Sequence, residues 1–332
     1  MKRVSIGIMA SGGGHTGYGK AIGEALKDLV PEINIIYYVP RGDKWTLERI
    51  KPLLFNGSSI EYILKPREPY DPLYRFLFKT PVSMVEALAK VHNLLLLVAT
   101  GSNHSLFAGL AAMAKRIPVL NIEAADRIIY PSKTPRILYR LGAITLLHWR
   151  EQKKLYPRGI VVGPIYEKPR YKPTSRGYIL VTTGTMGHKI LFDKLLETGI
   201  ENIVLQTGRI PPEKYRDKKP GWIVFSFDPD IDKWIAGAEV VVTHQGITAL
   251  NAALSYGKPV VIAHNPLLKK SSSREDAIVL ARKLNAVFID PLKTSSRELE
   301  EAILKARDMK PRRYRNGAYV IARHIIKILL SL

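Results

Sequence analysis

Short apolar runs recur along this chain of 332 residues, most of them ending in a loop with Gly, Ser, Thr or His and leading into a segment of helical period. In the first half the runs are Val4–Met9, Ile33–Val39, Leu94–Ala99, Val119–Ile122, Ile144–Leu147 and Ile160–Val162. In the second they are Tyr178–Thr182, Ile203–Gln206, Trp222–Phe227, Val240–Thr243, Val260–Ala263 and Val287–Ile289. Between them, Ala21, Ile22, Ala25, Leu26 and Leu29 have the spacing of one helix face, and Leu106–Lys115, Ile190–Glu197, Ile231–Ala236, Ala249–Tyr256 and Ala277–Leu284 read as further helices. Apolar runs that are continuous rather than alternating suit strands buried on both faces of a parallel sheet. The expectation is α/β: two doubly wound Rossmann-like domains facing a cleft.

The boundaries follow from punctuation. Residues 1–163 form the first domain. The stretch 164–176, PIYEKPRYKPTSR, has three prolines and no periodicity and reads as a linker. Residues 177–310 form the second domain, and 311–332 a C-terminal helical segment. Residues 41–69 are mixed, with Pro, Gly and Ser breaking any pattern.

The chain has no cysteine, which excludes disulfides, thiolate catalysis and Cys-ligated metal sites, and fits a reducing cytosol or a hot habitat. Its net charge is +22, split equally between residues 1–163 and the remainder. Such a surface favours anionic partners, whether phosphates, nucleic acid or an acidic membrane face. A solvated thermophile-type surface accounts for the charge equally well. No signal peptide and no run of about 20 apolar residues is evident.

In parallel α/β sheets, ligand loops lie at the C-terminal ends of strands. Ser11–Gly17, Thr100–Asn103 and Glu123–Arg127 occupy such ends in the first domain. In the Ser11-Gly12-Gly13-Gly14-His15-Thr16-Gly17 loop, glycines permit close backbone approach and positive φ, and the helix that follows turns its positive end toward an anion. The loop is neither a P-loop nor GxGxxG. It carries His15, which can exchange a proton near neutral pH. In the second domain, Gly184-Thr185-Met186-Gly187, Gln206-Thr207-Gly208 and His244-Gln245-Gly246-Ile247-Thr248 occupy the equivalent ends. His104 and His188 lie beside such loops too, and no pair of histidines has zinc-ligand spacing.

These motifs, in this order, resemble the GT-B glycosyltransferases that build polyprenyl-diphosphate sugars. The family includes the bacterial enzymes that add GlcNAc to lipid I. Closer to this chain are single-chain archaeal counterparts of the eukaryotic enzyme that adds the second GlcNAc to dolichyl-diphosphate GlcNAc. Ser11–Thr16 resembles the family's Gly-Gly-His loop, and Asn121–Arg127 its Ile-Glu-Ser-x-x-Arg segment. Val161–Pro164 resembles the Val-Gly-Asn-Pro junction, Gly184–Gly187 and Gln206–Gly208 its two donor-side glycine loops, and Thr243–Pro259 its His-x-Gly…Glu-Ala-Leu-x-x-Gly-Lys-Pro signature. There are two departures. Ala252 stands where the family's ribose-holding Glu falls, with Asn251 beside it, and the sugar-contact loop, Ser271–Asp276, lacks Gln.

The resemblance implies inverting transfer of a sugar, with UDP-GlcNAc as the expected donor, onto a polyprenyl- or dolichyl-diphosphate-linked sugar in N-glycan precursor assembly. It implies no bound metal and no cofactor. His15 and Glu123 are the catalytic candidates, Glu123 either orienting His15 or acting on the acceptor hydroxyl. Gly13, Gly14, Thr16, Asn103 and Arg127 are candidates for the acceptor, with Arg127 also a candidate ion-pair partner of Glu123. Gly184, Thr185, Met186, Gly187, Gln206, Thr207, Gly208, His244, Gln245, Gly246, Ile247, Thr248 and Asn251 are candidates for the donor. The C-terminal helix is expected to pack back on the first domain.

A lipid-linked acceptor also implies peripheral contact with an anionic membrane, on the cytoplasmic face. Tyr70–Lys90, where Tyr74, Phe76, Leu77, Phe78, Val82 and Val85 alternate with Arg75 and Lys79, is one candidate surface, and Tyr314–Leu332 a second. Both also read as core-facing helices. No nucleic-acid-binding signature is present. A nucleotide-sugar 2-epimerase or hydrolase of the same fold, or a non-catalytic nucleotide-sugar or nucleic-acid binding protein, are the alternatives.

Overall fold

The computed structural model describes residues 5–55, 57–68, 71–266 and 272–331. Val4, Tyr70, Ser271 and Leu332, which fall within expected elements or loops, lie outside them. By contacts the chain divides into two units, Met1–Glu167 with Arg315–Leu332, and Lys168–Tyr314.

In the first unit the strands are β1 (Ser5–Met9), β2 (Asn34–Pro40), β3 (Ser58–Ile63), β4 (Leu94–Ala99), β5 (Val119–Ile122), β6 (Ile144–Leu147) and β7 (Ile160–Val161). They form one sheet in the order β3-β2-β1-β4-β5-β6-β7. In the second unit, β8 (Ile179–Thr182), β9 (Ile203–Gln206), β10 (Ile223–Phe225), β11 (Val240–Thr243), β12 (Val260–Ala263) and β13 (Val287–Ile289) form a sheet in the order β10-β9-β8-β11-β12-β13. Every strand pairing described is parallel. Both units therefore have the doubly wound order, in which strand order reverses between β1 and β4 and again between β8 and β11. Continuous apolar runs occupy the centres: Leu96, Leu97, Val98 and Ala99 in one sheet and Val240, Val241 and Val242 in the other are buried.

Residues 41–69 are more ordered than their composition suggests. They hold a helix, Lys44–Ile50, and the edge strand β3. Asp43 caps the helix by accepting a hydrogen bond from the Thr46 backbone N–H at 3.0 Å. β3 lacked a sequence signal because it is half-exposed and Ser-rich, so it has neither a buried run nor clean alternation. Helices Lys133–Arg140 and Ser296–Arg307 also went unread. The second opens with a Ser295/Glu298 capping box, a signal that was present in the sequence.

The stretch 164–176 contains no helix or strand, yet it is pinned. Glu167 is buried against Lys20. Further along, the Thr174 and Arg176 amides donate to the Ala236 and Gly237 carbonyls, and buried Lys258 donates to the Thr174 carbonyl at 2.5 Å. Three prolines removed periodicity without making a free tether.

The C-terminal helix spans Gly317–Leu330. It buries Ala318, Ile321, Ala322 and Ile325 in packing against the first helix, Gly14–Leu29, and the Tyr319 hydroxyl donates to Asp28 across that contact. The middle of its apolar stripe is thereby occupied within its own unit, while Ile328 and Leu330 near its end stay exposed.

Close packing in the second unit gives a stability prediction. Gly208 has φ +67°, and a Cβ there would lie 2.6 Å from the Gly184 carbonyl oxygen and 2.7 Å from that of Thr185. Neither carbonyl can yield without moving the loop after β8. Gly208→Ala is expected to cost about 2–4 kcal/mol, lowering the melting temperature by roughly 5–10 °C in a thermal scan. An unchanged melting temperature would show that the two loops are not packed as described.

Candidate functional site

Parallel pairing carries the loops after β1, β4 and β5 to one edge of the first sheet. There the chain turns from β1 into helix Gly14–Leu29 through Gly12 (φ +89°) and Gly13 (φ +54°), and no side chain caps the helix. Gly13 and Gly14 are exposed. Thr16 turns inward: it is buried, its hydroxyl accepts from the Gly12 N–H at 3.1 Å, and it bonds the Thr46 hydroxyl. Thr16 thus braces the loop from within.

His15 is half-buried with its ring against Gly101, where a Cβ would fall 2.7 Å from Cε1. Its Nδ1 lies 2.7 Å from the Thr100 carbonyl oxygen. A carbonyl only accepts, so Nδ1 carries the proton and Nε2 presents a lone pair with no protein partner among the described residues. Burial, then the charges of Lys65 and Arg127, hold His15 down at about 4, against the opposing pull of the Thr100 bond. The imidazole is therefore neutral at pH 7 and in the tautomer of a base.

Glu123 does not join it. The carboxylate is fully buried and accepts from the Ala124 N–H (2.8 Å), the Ser132 N–H (2.9 Å), the Ser132 hydroxyl (2.5 Å) and the Tyr156 hydroxyl. Burial pushes its pKa up, opposed by these hydrogen bonds. All its partners belong to the loop 123–132 or to Tyr156, and none is His15 or Arg127. The expected contacts with His15 and Arg127 are therefore not formed among the described residues. Glu123 folds the loop that carries Arg127, together with Gln152, whose amide nitrogen donates to the Ala124 and Arg127 carbonyls at 2.8 Å. Asn103 donates to the Arg67 carbonyl at 2.9 Å and leaves its buried Oδ1 without a partner. Beneath the loops, His104 bonds Ser11, which bonds Ser105.

Sequence reasoning missed Lys65. It follows β3, and its ammonium lies 3.3 Å from where a Cβ on Gly12 would stand, paired with Glu68 at 2.9 Å. Without β3, nothing in the sequence connected it to the glycine loop.

At the edge of the second sheet, His244 lies against the loop after β8: a Cβ on Gly184 would meet its Cε1 at 3.2 Å. Gly184 and Gly187 both have positive φ, at +69° and +73°. Thr185 and Met186, between them, are half-buried, and the Thr185 carbonyl accepts from the Arg209 N–H at 3.0 Å. The chain leaves β11 through Gly246 (φ +141°) into a helix starting at Ile247, with Thr248 half-exposed. That helix becomes a π turn at Asn251–Ser255, so buried Asn251 stands at a change of helical register beside Ala252.

Three donor candidates have bracing contacts of their own. Buried Gln206 donates to the Thr182 hydroxyl (2.9 Å) and accepts from the Asp228 N–H (3.2 Å), tying β8, β9 and the turn after β10. The Thr207 hydroxyl donates to the Ile210 carbonyl at 2.6 Å, and Gly208 is packed under Gly184 and Thr185. His188 is a helix cap, its Nδ1 accepting from the Leu191 N–H while Nε2 donates to the His264 carbonyl.

What this edge lacks is partners. Thr183 Oγ1, Thr243 Oγ1, His244 Nδ1, His264 Nδ1 and both amide atoms of Gln245 are buried with no protein hydrogen bond. They sit on three adjacent strand ends, those of β8, β11 and β12. Buried polar atoms are nearly always bonded, so this concentration is what a polar ligand or ordered water would satisfy. Burial holds His244 at about 4, neutral at pH 7. Thr183, Thr243 and His264 escaped notice because they read as strand ends.

Helix Leu73–Lys90 turns Ser83 and Ala87 to the core but leaves Tyr74, Leu77, Phe78, Val82, Val85 and Leu88 exposed, Phe78 by 79%. Their spacing is that of one helical stripe. No helix among the described residues is long and apolar enough to cross a membrane.

Residues 178–327 match the model of the glycosyltransferase family 28 C-terminal domain. An uncharacterized glycosyltransferase from Methanosarcina mazei is 24% identical over 115 residues, which are 33% of this chain but only 30% of that protein. The Christiangramia forsetii UDP-N-acetylglucosamine–N-acetylmuramyl-(pentapeptide) pyrophosphoryl-undecaprenol N-acetylglucosamine transferase is 22% identical over 322 residues, 85% of this chain and 84% of that protein. Acinetobacter baumannii MurG superposes with a TM-score of 0.64 at 18% identity, covering 97% and 99% of the two chains. The Neisseria meningitidis UDP-GlcNAc 2-epimerase, bound to UDP-GlcNAc, superposes at 0.59 with 14% identity, covering 99% and 100%. The fold is GT-B, two parallel-sheet α/β domains, and transferases and epimerases share it.

The reassignment of Glu123 is testable. In Glu123→Gln the amide nitrogen replaces one carboxylate oxygen and its hydrogens face the two donors that oxygen served, one of them a backbone N–H, so the variant should lose about 1–3 kcal/mol of stability in denaturant titration. It should keep most of its turnover at temperatures where it is folded. A stable variant with abolished turnover would restore Glu123 to the chemistry.

Proposed function

We propose that this protein is a glycosyltransferase that moves a sugar from a nucleotide donor, with UDP-GlcNAc as the best candidate, to a hydroxyl of a polyprenyl- or dolichyl-diphosphate-linked sugar. The observation that carries this reading is the unpartnered polar edge of the second sheet, because it lies within the segment that matches the family 28 C-terminal domain. Thr183, His244, Gln245 and His264 would meet the donor there, with the glycine turns at 184–187 and 246 allowing its phosphates close to backbone N–H groups. The Christiangramia relative, named for N-acetylglucosamine transfer to a pyrophosphoryl-undecaprenol acceptor, supports the same donor and acceptor classes. The 2-epimerase reading shares the fold, but epimerisation needs no base positioned for an external hydroxyl and no lipid surface.

In this mechanism His15 Nε2 takes the proton of the acceptor hydroxyl as that oxygen attacks the anomeric carbon. The nucleoside diphosphate leaves with the bonding pair, its charge met by backbone N–H groups of the second unit. Thr100 keeps the proton on Nδ1 and so keeps Nε2 basic. A free-enzyme pKa near 4 makes a weak base. An acceptor diphosphate beside Lys65 and Arg127 would cancel the charges that help depress it, so the base strengthens when acceptor is bound.

A lipid-linked acceptor requires a membrane-facing surface. The stripe Tyr74, Leu77, Phe78, Val82 and Val85, flanked by Arg75 and Lys79, has the composition of a helix lying in an anionic interface. The protein would then work as a peripheral enzyme on the cytoplasmic leaflet.

Incubating the protein with radiolabelled UDP-GlcNAc and a short polyprenyl-diphosphate GlcNAc should yield a diphosphate-linked disaccharide, and His15→Ala should lower turnover about 10²- to 10⁴-fold with UDP binding retained. Because the base must be neutral, activity falls as pH drops through its pKa. The acid limb of kcat/KM should lie at about 4, and that of kcat higher. Absence of transfer with every lipid acceptor, despite UDP binding, would overturn the proposal. Coincident limbs would remove the coupling between acceptor charge and base.

Phe78→Asp should leave the fold and transfer to a detergent-dispersed acceptor intact, while reducing sedimentation with anionic vesicles at least severalfold. Equal sedimentation would remove this helix from the interface.

A further inference from the structure

The loop that carries His15 is held from outside by a buried ion cluster that none of the sequence motifs includes. Arg49, on helix Lys44–Ile50, donates through one guanidinium nitrogen to the Gly13 carbonyl at 3.1 Å and through the other to Glu167 Oε1 at 2.5 Å. The second oxygen of Glu167 accepts from Lys20 at 2.5 Å, and Lys20 also lies 3.5 Å from Glu24. The side chains of Glu167 and Lys20 are only 3% and 6% exposed, and that of Arg49 is 24% exposed. Glu167 is the last residue of the first unit before the chain enters the second.

Three facts make this more than a local ion pair. Burying a carboxylate with two cations gains little stability over an apolar cluster of the same size, so what it supplies is a fixed geometry. The guanidinium is the one side chain whose planar fork can bond a carbonyl and a carboxylate at the same time in set directions. And the carbonyl it takes belongs to Gly13, whose φ of +54° is one of several conformations open to a glycine. With glycines on both sides and no capping side chain, the loop's own restraint is the Thr16 hydroxyl on the Gly12 N–H, which leaves the Gly13 carbonyl to be fixed from outside.

We propose that Arg49 is a positioning residue for the acceptor-side loop: held in place by Glu167, it fixes the Gly13 carbonyl and so the direction in which the backbone presents His15. The catalytic part of this inference rests on the transferase reading given above; the restraint on the loop does not. Lysine is a poor replacement for Arg49, because its ammonium is a point donor without the planar fork that sets the directions of both bonds. Misplacing a catalytic group by about 1 Å costs on the order of 10²-fold in rate, which sets the expected effect.

The test uses the full-length protein with Arg49→Lys, Arg49→Met and, as a control, Lys51→Gln, which removes only an exposed pair with Glu48. UDP affinity and melting temperature are measured beside transfer kinetics, the pH profile of kcat, and hydrogen exchange of the Gly12 amide, which donates to the Thr16 hydroxyl within this loop. For Arg49→Lys the expected result is UDP binding within twofold of wild type, kcat lowered about 10- to 100-fold with a shifted acid limb, and exchange of the Gly12 amide at least tenfold faster. Lys51→Gln should match wild type throughout. If Arg49→Met does not fold, Arg49→Lys alone decides. Wild-type kcat together with wild-type amide exchange in Arg49→Lys would overturn the proposal. If the wild-type protein transfers no sugar, the transferase reading fails, and the exchange rates alone then decide whether Arg49 restrains the loop.

Discussion

Pairing β1 in parallel with both β2 and β4 decides where chemistry can occur in the first unit. Because all strands run the same way, the loops after β1, β4 and β5 emerge on one edge, and the reversal of strand order between β1 and β4 leaves room there for the Thr100 carbonyl to meet His15. Shifting either pairing by one residue would exchange the faces of β1 and turn Ile6 and Ile8 to the side where Gly7 sits, where Leu94 and Leu97 leave no space even for a Cβ. The same constraint acts on β8 and β11, whose register brings Thr183 beside His244. Active groups thus inherit their positions from hydrogen-bond ladders that contain no functional residue.

Much of this was legible because buried parallel strands leave a plain mark. Leu94–Ala99, Val119–Ile122, Val240–Thr243 and Val260–Ala263 have the limits their apolar runs imply. β3 was illegible for the opposite reason: as a half-exposed edge strand rich in Ser, it needs no apolar run, and it was β3 that brought Lys65 to Gly12. The π turn at Asn251–Ser255 was equally hidden, since a change of helical register leaves no trace in spacing when the residues around it are Ala and Leu.

The candidate site was legible in outline but not in its roles. A motif shows which residues stand at a strand end, not which way they turn. Thr16, Glu123, Gln206 and Thr207 all stand where ligand contacts were expected, and all spend their hydrogen bonds on neighbouring loops. The residues without partners, Gln245 and His264 among them, are the ones a ligand would complete. The basic surface divides in the same manner. Lys20, Lys27 and Lys258 are buried donors to a carboxylate or to carbonyls, while the cations near His15 add to the burial that lowers its proton affinity.

The account rests on a single displacement at an anomeric carbon, with a neutral imidazole as base and no covalent sugar–enzyme intermediate. The anomeric configuration of the product tests this most directly, read by proton NMR after reaction of α-linked UDP-GlcNAc with a lipid-diphosphate GlcNAc acceptor. The account predicts a new β-linked GlcNAc on the acceptor, with UDP released in equal amount. An α-linked product, free sugar, or a donor epimerised at C2 with the acceptor untouched would contradict it.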